Sequence, residues 1–432
     1  MSKRTRTAAR LLLIAIVALV VASISPFAQG EAITLQFWFL SSGPENLAQM
    51  ERAVDRFEAL NPNVTVEITP YTFDEMVRTL PLALNGGTGP DVLYVNPLSQ
   101  GQDRYAQAGH LVDLTEIAEE RGWLDRFPEE TVAYNNKGTP GHIFGMPYAT
   151  NTIGVYYNKE IFAELGLEIP TTLEEFEALM QTVKDAGYEP VSVGGRTGWP
   201  LEHVWSQLSH TNAPLELFAG LESLSLDASY TDPRIVESAE RFGSWCSSGF
   251  FNQGALATSY QEANDLFINR EVVMNIGGSW AAVNFEQADF EVGFFPTPQM
   301  NPDLPWNGGG QAPANNLTVT VYANHPDWAI ELIDYLLSED NMRTFFSEGM
   351  LVVYQFDEVP EPQTQLQREM YEGMAIRGPG YYMGVVNAEV GSAIFAQLQE
   401  LCGGTVTAQE AMENIQAVYD EQAQLAAEEA GS

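Results

Sequence analysis

The sequence predicts an α/β fold of two lobes, and three observations favour it. The chain has 432 residues, more than one hydrophobic core usually supports. Strand-like and helix-like segments alternate over residues 33–95, which is typical of a parallel sheet with right-handed crossovers. A turn-prone stretch at 149–152 separates a proline-led segment from the β-forming run 153–157. That arrangement indicates a crossing between lobes beside a ligand cleft.

Residues 1–30 have the composition of a secretory signal. Four basic residues precede an apolar run at 11–21, and small residues and Pro26 follow it. The run is too short for a comfortable membrane span. We expect cleavage after Gly30 and an exported protein, and the alternative is an uncleaved N-terminal anchor. No cysteine lies near the boundary, so a lipid anchor of the usual form is not expected.

The charge of the chain is strongly acidic. There are 20 basic and 58 acidic residues, a net charge of −38. Removal of residues 1–30 would delete four basic and no acidic residues and leave 16 basic ones. Nucleic acid and anionic membranes repel such a charge, so neither is an expected partner. Hydrophobic residues at 45% are ample for packed cores, so the chain is not a disordered polyanion.

The first part of the exported chain predicts a βαβαβ unit. Alternating or continuous apolar runs predict strands at 33–40, 64–69 and 91–95. Helical spacing from Leu47 to Leu60 predicts the first helix, and the second ends at 86–87. Ligands of parallel sheets bind at the carboxyl ends of the strands. Those ends are residues 38–42, 69–71 and 96–99.

The second part alternates less regularly. A helix at 171–186 begins with a capping box, and a glycine-rich loop follows at 194–200. Further helices are predicted at 236–246, 260–268, 328–337 and over most of 389–427, and further strands at 272–276, 292–295 and 317–322. The two cysteines, Cys246 and Cys402, could form a disulfide or remain buried thiols, and the sequence leaves both open.

Several stretches together carry a family resemblance. The chain resembles the extracellular solute-binding proteins of carbohydrate ABC transporters, the family that includes maltose-binding protein. The matching stretches come in the order of the family and are residues 61–66, 87–95, 111–114, 145–159, 165–176 and 274–280. Two positions depart from it. Arg270 stands where the family usually has glycine, and Ser41-Ser42 replaces a charged pair of maltose-binding protein, so its sugar specificity does not carry over.

The resemblance implies a periplasmic-binding-protein fold of type II, in which two lobes, each a β-sheet flanked by helices, are joined by a multi-crossing hinge. It implies a first lobe of residues 31–149 plus about 308–348 and a second lobe of 154–307 plus about 349–432. Residues 149–153 would form the first crossing. The lobes would close over a sugar and present it to a membrane permease.

Sugar binding needs flat aromatic rings and planar hydrogen-bonding groups, because sugars present apolar C–H faces and fixed hydroxyls. Trp280 is the first candidate, since it follows Gly-Gly-Ser where a family tryptophan stacks on ligand. Trp199 lies in the glycine-rich loop, and His203 could share its wall of the site. Trp38 and Tyr71 lie at strand ends. For Trp280 and Trp38 the alternative is a place in a hydrophobic core.

The polar and loop candidates each have a structural alternative. Ser41, Ser42 and Glu45 stand where a helix begins after a strand, and we expect at least one serine to cap that helix. Asn96 follows the buried strand, and Asn151 could bind ligand or hold the turn. The remaining candidates are Gly309 and Gly310, which would let backbone approach a ligand, and Arg377 and Tyr382 of the second lobe.

The leading hypothesis is a non-enzymatic, monomeric binding protein without cofactor that takes a mono- or oligosaccharide. The five histidines show no metal spacing, and no P-loop, nucleophile elbow or His-Glu-x-x-His is present. An exported glycosidase or lyase stays open, because the many carboxylates could supply an acid/base pair. A binding protein for a polyamine or polyol phosphate is the third hypothesis.

Overall fold

The fold is taken from a computed structural model that describes residues 31–96, 101–304, 315–375 and 387–431. The predicted signal and the candidates Gly309, Gly310, Arg377 and Tyr382 lie outside the described residues. Within the described ranges no helix combines the length and the apolar character that a membrane crossing requires.

The described chain forms nine strands and seventeen α-helices. The strands are β1 (Ile33–Leu40), β2 (Val64–Tyr71), β3 (Val92–Val95), β4 (Met146–Pro147), β5 (Ile153–Asn158), β6 (Glu189–Ser192), β7 (Val272–Gly278), β8 (Val292–Phe295) and β9 (Asn316–Val319). The helices before β6 are α1 (Pro44–Leu60), α2 (Phe73–Asn85), α3 (Gln102–Gln107), α4 (Thr115–Glu120), α5 (Glu129–Asn135), α6 (Lys159–Leu165) and α7 (Leu173–Asp185). The later helices are α8 (Trp199–His210), α9 (Leu215–Glu222), α10 (Pro233–Ser247), α11 (Tyr260–Ile268), α12 (Ala282–Phe285), α13 (Pro326–Leu336), α14 (Glu339–Ser347), α15 (Gln365–Ala375), α16 (Ala388–Cys402) and α17 (Ala408–Gly431).

Two separate sheets organise two lobes. The first has the order β2-β1-β3-β9-β4 and the second the order β6-β7-β5-β8. β1 pairs in parallel with β2 and β3, so the predicted βαβαβ unit is confirmed. β9 returns antiparallel between β3 and β4. In the second sheet β5 runs antiparallel to β7 and β8.

Alternate side chains of the strands enter different cores, as the two-residue period of a strand requires. In β1, Leu35, Phe37 and Phe39 are fully buried in the main core of the first lobe, against α1 and α13. In β5, Val155 packs in the larger core of the second lobe, whereas Tyr156 packs on the opposite face. Both sheets are therefore covered on two faces.

The lobes are connected where the turn-prone stretch lies. Ala149 forms a β-bridge with Val352, and the Thr150 N–H donates to the Leu351 carbonyl at 2.8 Å. Two passages of the chain therefore lie side by side between the lobes. This arrangement of two sheeted lobes with adjacent crossing strands agrees with the predicted fold class.

Helix α7 begins as its sequence predicts. The Thr172 side chain accepts from the Glu175 N–H, and the Glu175 carboxylate accepts from the Thr172 N–H in return. Helix α8 differs from expectation, because residues 199–200 were assigned to the glycine-rich loop. Pro200 falls in the first turn of α8, where its missing N–H costs nothing.

Arg270 shows why the family position favours glycine. Its φ of 62° lies in the left-handed region, which costs a side-chain-bearing residue roughly 1–2 kcal/mol. The guanidinium binds Asp289 and Glu160, each at 2.8 Å. The replacement of the family's glycine by Arg270 therefore affects only a surface turn.

A disulfide joins Cys246 at the end of α10 to Cys402 at the end of α16, with a Cα–Cα distance of 5.3 Å. The two cysteines are 156 residues apart in sequence. The bond ties the last part of the chain to the helical layer of the second lobe.

Candidate ligand-binding site

A cavity of about 230 Å³ lies between the two lobes. Its walls are formed by residues at the ends of strands and at the starts of helices in both lobes. The predicted candidates that line it are Ser41, Ser42, Asn96, Asn151, Trp199, His203 and Trp280. The structure therefore brings together seven residues that are spread over 240 positions of the sequence.

The second lobe contributes a continuous aromatic wall. The His203 ring centroid lies 5.5 Å from that of Trp280 and 5.0 Å from that of Trp199. The Trp199 ring lies 4.7 Å from that of Tyr260. These rings hold one another in tilted or edge-on contact, which leaves indole surface available to the cavity.

The shape of this wall depends on Gly278. A Cβ at Gly278 would lie 2.1 Å from Cη2 of Trp280, so only glycine lets the indole lie against this backbone. Steric space for the Trp280 ring therefore explains the second glycine of the Gly-Gly-Ser-Trp sequence. Glycine at 278 sets the position of the Trp280 indole, and the strand-to-helix turn directs it toward the cavity.

His203 is a neutral member of the wall. Burial lowers the pKa of His203 to about 3. Its Nε2 lies 3.7 Å from Oε2 of Glu202, and both residues line the cavity. Because the imidazole is uncharged at neutral pH, it can donate one hydrogen bond and accept another.

The first lobe contributes mainly amides and hydroxyls. The Asn46 Oδ1 accepts from the Ser42 N–H at 3.1 Å. The Asn96 Nδ2 donates to Oδ1 of Asn315 at 3.3 Å. Asn46, Asn96 and Asn315 all line the cavity, so planar polar groups face the aromatic wall.

One contact region bridges the two walls directly. The Phe73 ring, at the start of α2, lies 5.8 Å from the Trp199 ring of the other lobe. The next residue, Asp74, has its pKa raised by burial, and the positive charge of Arg196 in the second lobe opposes that rise. The cavity is therefore closed by aromatic and charged groups from both lobes.

Three predicted residues do not line the cavity. Trp38 and Tyr71 pack against each other with ring centroids 4.9 Å apart, beside a small core cluster. The Glu45 carboxylate accepts from Nη2 of Arg52 at 2.9 Å. The structure thus places them beside the site rather than on its surface.

The expected serine cap is wrong. The N-cap residue of α1 is Gly43, and no side chain of its own caps the helix. The Ser41 Oγ donates to the Gly43 carbonyl at 3.0 Å. The Ser42 Oγ donates to the Trp280 carbonyl at 2.7 Å.

Sequence reasoning missed several lining residues. They are Asn46, Phe73, Asp74, Tyr94, Arg196, Glu202, Tyr260 and Asn315. Phe73 and Asp74 open α2, whose N-cap Thr72 follows the end of β2, and Tyr260 opens α11 after a capping box at Ser259. A predicted helix start that follows a strand end or a capping box could have identified these three residues as candidates. Nothing in the local sequence marks Glu202.

Comparison with known proteins finds relatives of similar sequence. Two relatives are the multiple sugar-binding protein of Streptococcus mutans, 25% identical over 323 residues that cover 73% of this chain and 74% of the relative, and the maltodextrin-binding protein of Bacillus subtilis, 24% identical over 318 residues that cover 69% and 68%.

Solved structures share the fold. A chitin oligosaccharide binding protein superposes with a TM-score of 0.77 at 22% identity, covering 91% of this chain and all of the other. The maltose/maltodextrin-binding domain from Bdellovibrio bacteriovorus gives 0.74 at 17%, covering 90% and 100%. The sequence pattern of the bacterial extracellular solute-binding proteins matches residues 41–343, and the chain belongs to that family.

Proposed function

We propose that this solute-binding protein captures a mono- or oligosaccharide between its lobes and delivers it to the permease of an ABC transporter. The observation that carries the proposal is the aromatic wall of Trp199, His203 and Trp280 facing the amides and hydroxyls of the first lobe. A pyranose ring has one apolar C–H face and a rim of hydroxyls, so it matches both walls. The sugar-binding names of the relatives support the same class of ligand.

Binding would proceed by closure of the lobes. In an open form the sugar stacks on the aromatic wall of the second lobe. Closure adds hydrogen bonds from Ser41, Asn46 and Asn96 of the first lobe, and these bonds favour the closed state by their differential contribution. The protein would be exported, act as a monomer and perform no chemistry on the sugar, and the permease would recognise the closed shape.

We keep the lobe limits predicted from the sequence and adjust only the last crossing between the lobes. Lobe 1 would comprise residues 31–149 and about 308–348, and lobe 2 residues 154–307 and about 349–432, with 149–153 as the first hinge crossing. Val353 and Phe356 pack beside the core of the first lobe, whereas Leu366 packs in the second. We therefore place the last crossing between residues 349 and 365.

A ligand panel tests the proposal. Residues 31–432 are mixed with maltose, maltotriose, raffinose, chitobiose, xylobiose, galactose, putrescine or glycerol 3-phosphate, and the melting temperature and tryptophan emission are recorded. A saccharide at about 100 times its Kd should stabilise the fold by about 2.7 kcal/mol and change the emission of Trp280.

Two variants sharpen the result. Trp280→Ala should reduce the emission change, since Trp199 still lines the cavity, and should weaken binding by about 2 kcal/mol or more. Trp328→Ala, outside the cavity on α13, is the matched control and should keep binding. If only putrescine or glycerol 3-phosphate raised the melting temperature, that solute and not a saccharide would be the proposed ligand. Release of cleaved sugar would favour a glycosidase, and no shift with any saccharide would contradict the proposal.

A further inference from the structure

Helix α1 begins without a cap of its own. Its N-cap residue, Gly43, has no side chain, and Pro44 has no N–H to satisfy. The next donor is the Glu45 N–H, which points out of the first turn as helix N-termini require. Its partner is Oδ1 of Asn284, at 3.0 Å and 239 residues along the chain.

Asn284 belongs to the other lobe. It lies in α12, whose Ala282 and Phe285 are buried in a core of the second lobe. Asn284 itself is 4% exposed. Helix α1, in contrast, packs its Met50, Val54 and Phe57 in the core of the first lobe. The carboxamide therefore caps a helix across the boundary between the lobes.

The approach is sterically specific. A Cβ on Gly43 would lie 2.6 Å from Oδ1 of Asn284, so the contact requires glycine at the N-cap. The Asn284 Nδ2 is buried and has no hydrogen-bond partner in the described part of the chain. The Asn284 side chain therefore forms its hydrogen bond to α1 through Oδ1.

A second bond joins the same two segments. The Ser42 Oγ donates to the carbonyl of Trp280 at 2.7 Å, one helical turn before Asn284. The loop 41–45 of the first lobe is therefore bonded at two points to the segment 280–284 of the second. That segment carries the tryptophan of the aromatic wall.

We propose that Asn284 is a positioning residue that caps α1 when the lobes close and thereby couples closure to the placement of Trp280. Asn284 does not line the cavity, so it acts through Glu45 and the segment 280–284 rather than through the ligand. The inference rests on the proposed function only for its consequence on affinity. The cap itself forms between protein groups and is measurable without any ligand.

The ligand-free test compares wild type with Asn284→Ala and Asn284→Asp. Asp keeps an acceptor oxygen, replaces the amide nitrogen without partner by a second oxygen, and adds a negative charge that the N-terminus of α1 favours. The readouts are hydrogen exchange of the Glu45 amide and the radius of gyration by small-angle X-ray scattering. Asn284→Ala should speed exchange about fivefold, the usual worth of an N-cap, and enlarge the radius of gyration, and Asn284→Asp should restore both.

Thr172→Ala is the matched control, because Thr172 caps α7 within the second lobe. It should leave the Glu45 exchange rate and the radius of gyration at their wild-type values. Unchanged Glu45 exchange in Asn284→Ala would overturn the cap. Faster exchange with an unchanged radius, or failure of Asn284→Asp to restore either readout, would overturn the coupling.

A ligand arm uses maltotriose and raffinose as probes. With either sugar that binds wild type, Asn284→Ala should weaken binding about fivefold and blunt the change in tryptophan emission, while Thr172→Ala should do neither. Equal affinities of wild type and Asn284→Ala would overturn the coupling. If neither sugar binds wild type, the proposed function is weakened, whereas the cap is still decided by the ligand-free arm.

Discussion

Nζ of Lys137 lies 2.8 Å from Oε1 of Glu222, and this ion pair joins the two lobes away from the ligand cavity. Lys137 follows α5 of the first lobe, and Glu222 ends α9 of the second. The Tyr134 hydroxyl donates to the same carboxylate oxygen. The two side chains are 29% and 12% exposed, so solvent screens this pair less than a surface pair.

Under the proposed closure of the lobes, this pair would stabilise the closed state. We therefore expect Glu222→Gln, which removes the negative charge of residue 222, to weaken ligand affinity. The loss should be about 0.5–1 kcal/mol, a factor of roughly two to five. Calorimetric titration with the saccharide that binds wild type measures it, and the difference should shrink at high salt. Glu339→Gln, which breaks the Arg343 pair within α14, is the control. Equal affinities of the two variants would remove the role of the pair in closure.

Gly278→Ala should displace the Trp280 indole. The added methyl would lie 2.1 Å from Cη2 of Trp280, so the ring must rotate away at a cost of about 1–3 kcal/mol in overpacking. Affinity should fall at least about tenfold, as measured by titration of tryptophan emission. Gly243→Ala, whose methyl would meet only the flexible Leu401 side chain at 3.1 Å, should keep wild-type affinity. Wild-type affinity in Gly278→Ala would show that the indole position does not matter.

His203 should make the fold sensitive to acid. Burial lowers the folded-state pKa of His203 to about 3, whereas an unfolded histidine titrates near about 6.5. Between these values only the unfolded chain binds the proton, so the stability contributed by the neutral ring is complete above about pH 6.5 and is lost as pH falls toward 3.

His203→Gln should reduce this loss. Between pH 7 and about pH 4.5 the free energy of unfolding of wild type should fall by about 2 kcal/mol more than that of the variant. Urea unfolding at the two pH values measures both. His325→Gln is the control and should follow wild type. Parallel pH profiles of wild type and His203→Gln would contradict the buried neutral imidazole.

Loss of the disulfide should lower stability without changing affinity. The bond closes a loop of 156 residues and lies outside the cavity lining. The double variant Cys246→Ser, Cys402→Ser should lose about 2–4 kcal/mol of unfolding free energy. Urea unfolding with and without reductant checks this, since reduced wild type should match the variant. An unfolding curve that reductant does not change would argue against the bond.

Local sequence patterns were enough to predict the α/β class and the βαβαβ unit, whereas the hinge crossing at 149–153 stays a prediction. These depend on hydrophobic period, turn residues and capping boxes, and such signals act within a few residues of one another. Trp280 became a candidate through the family resemblance, in which a tryptophan after Gly-Gly-Ser stacks on ligand, and the structure places it at the cavity. Helix α8 was not predicted, and its first residues were assigned to the glycine-rich loop because Pro200 favours loops and helix starts alike.

What only the tertiary structure decided concerns partners that are far apart in the chain. Glu202 sits on a helix in which nearly every residue is buried, so its sequence does not show which side faces a cavity. The cap of α1 comes from Asn284 and not from Ser41 or Ser42, and the cysteines meet across two helices. The sequence by itself determined the elements and their order. The packing of two lobes against each other determined which side chains meet, because hydrogen bonds, ring contacts and ion pairs depend on distances that a one-dimensional pattern does not contain.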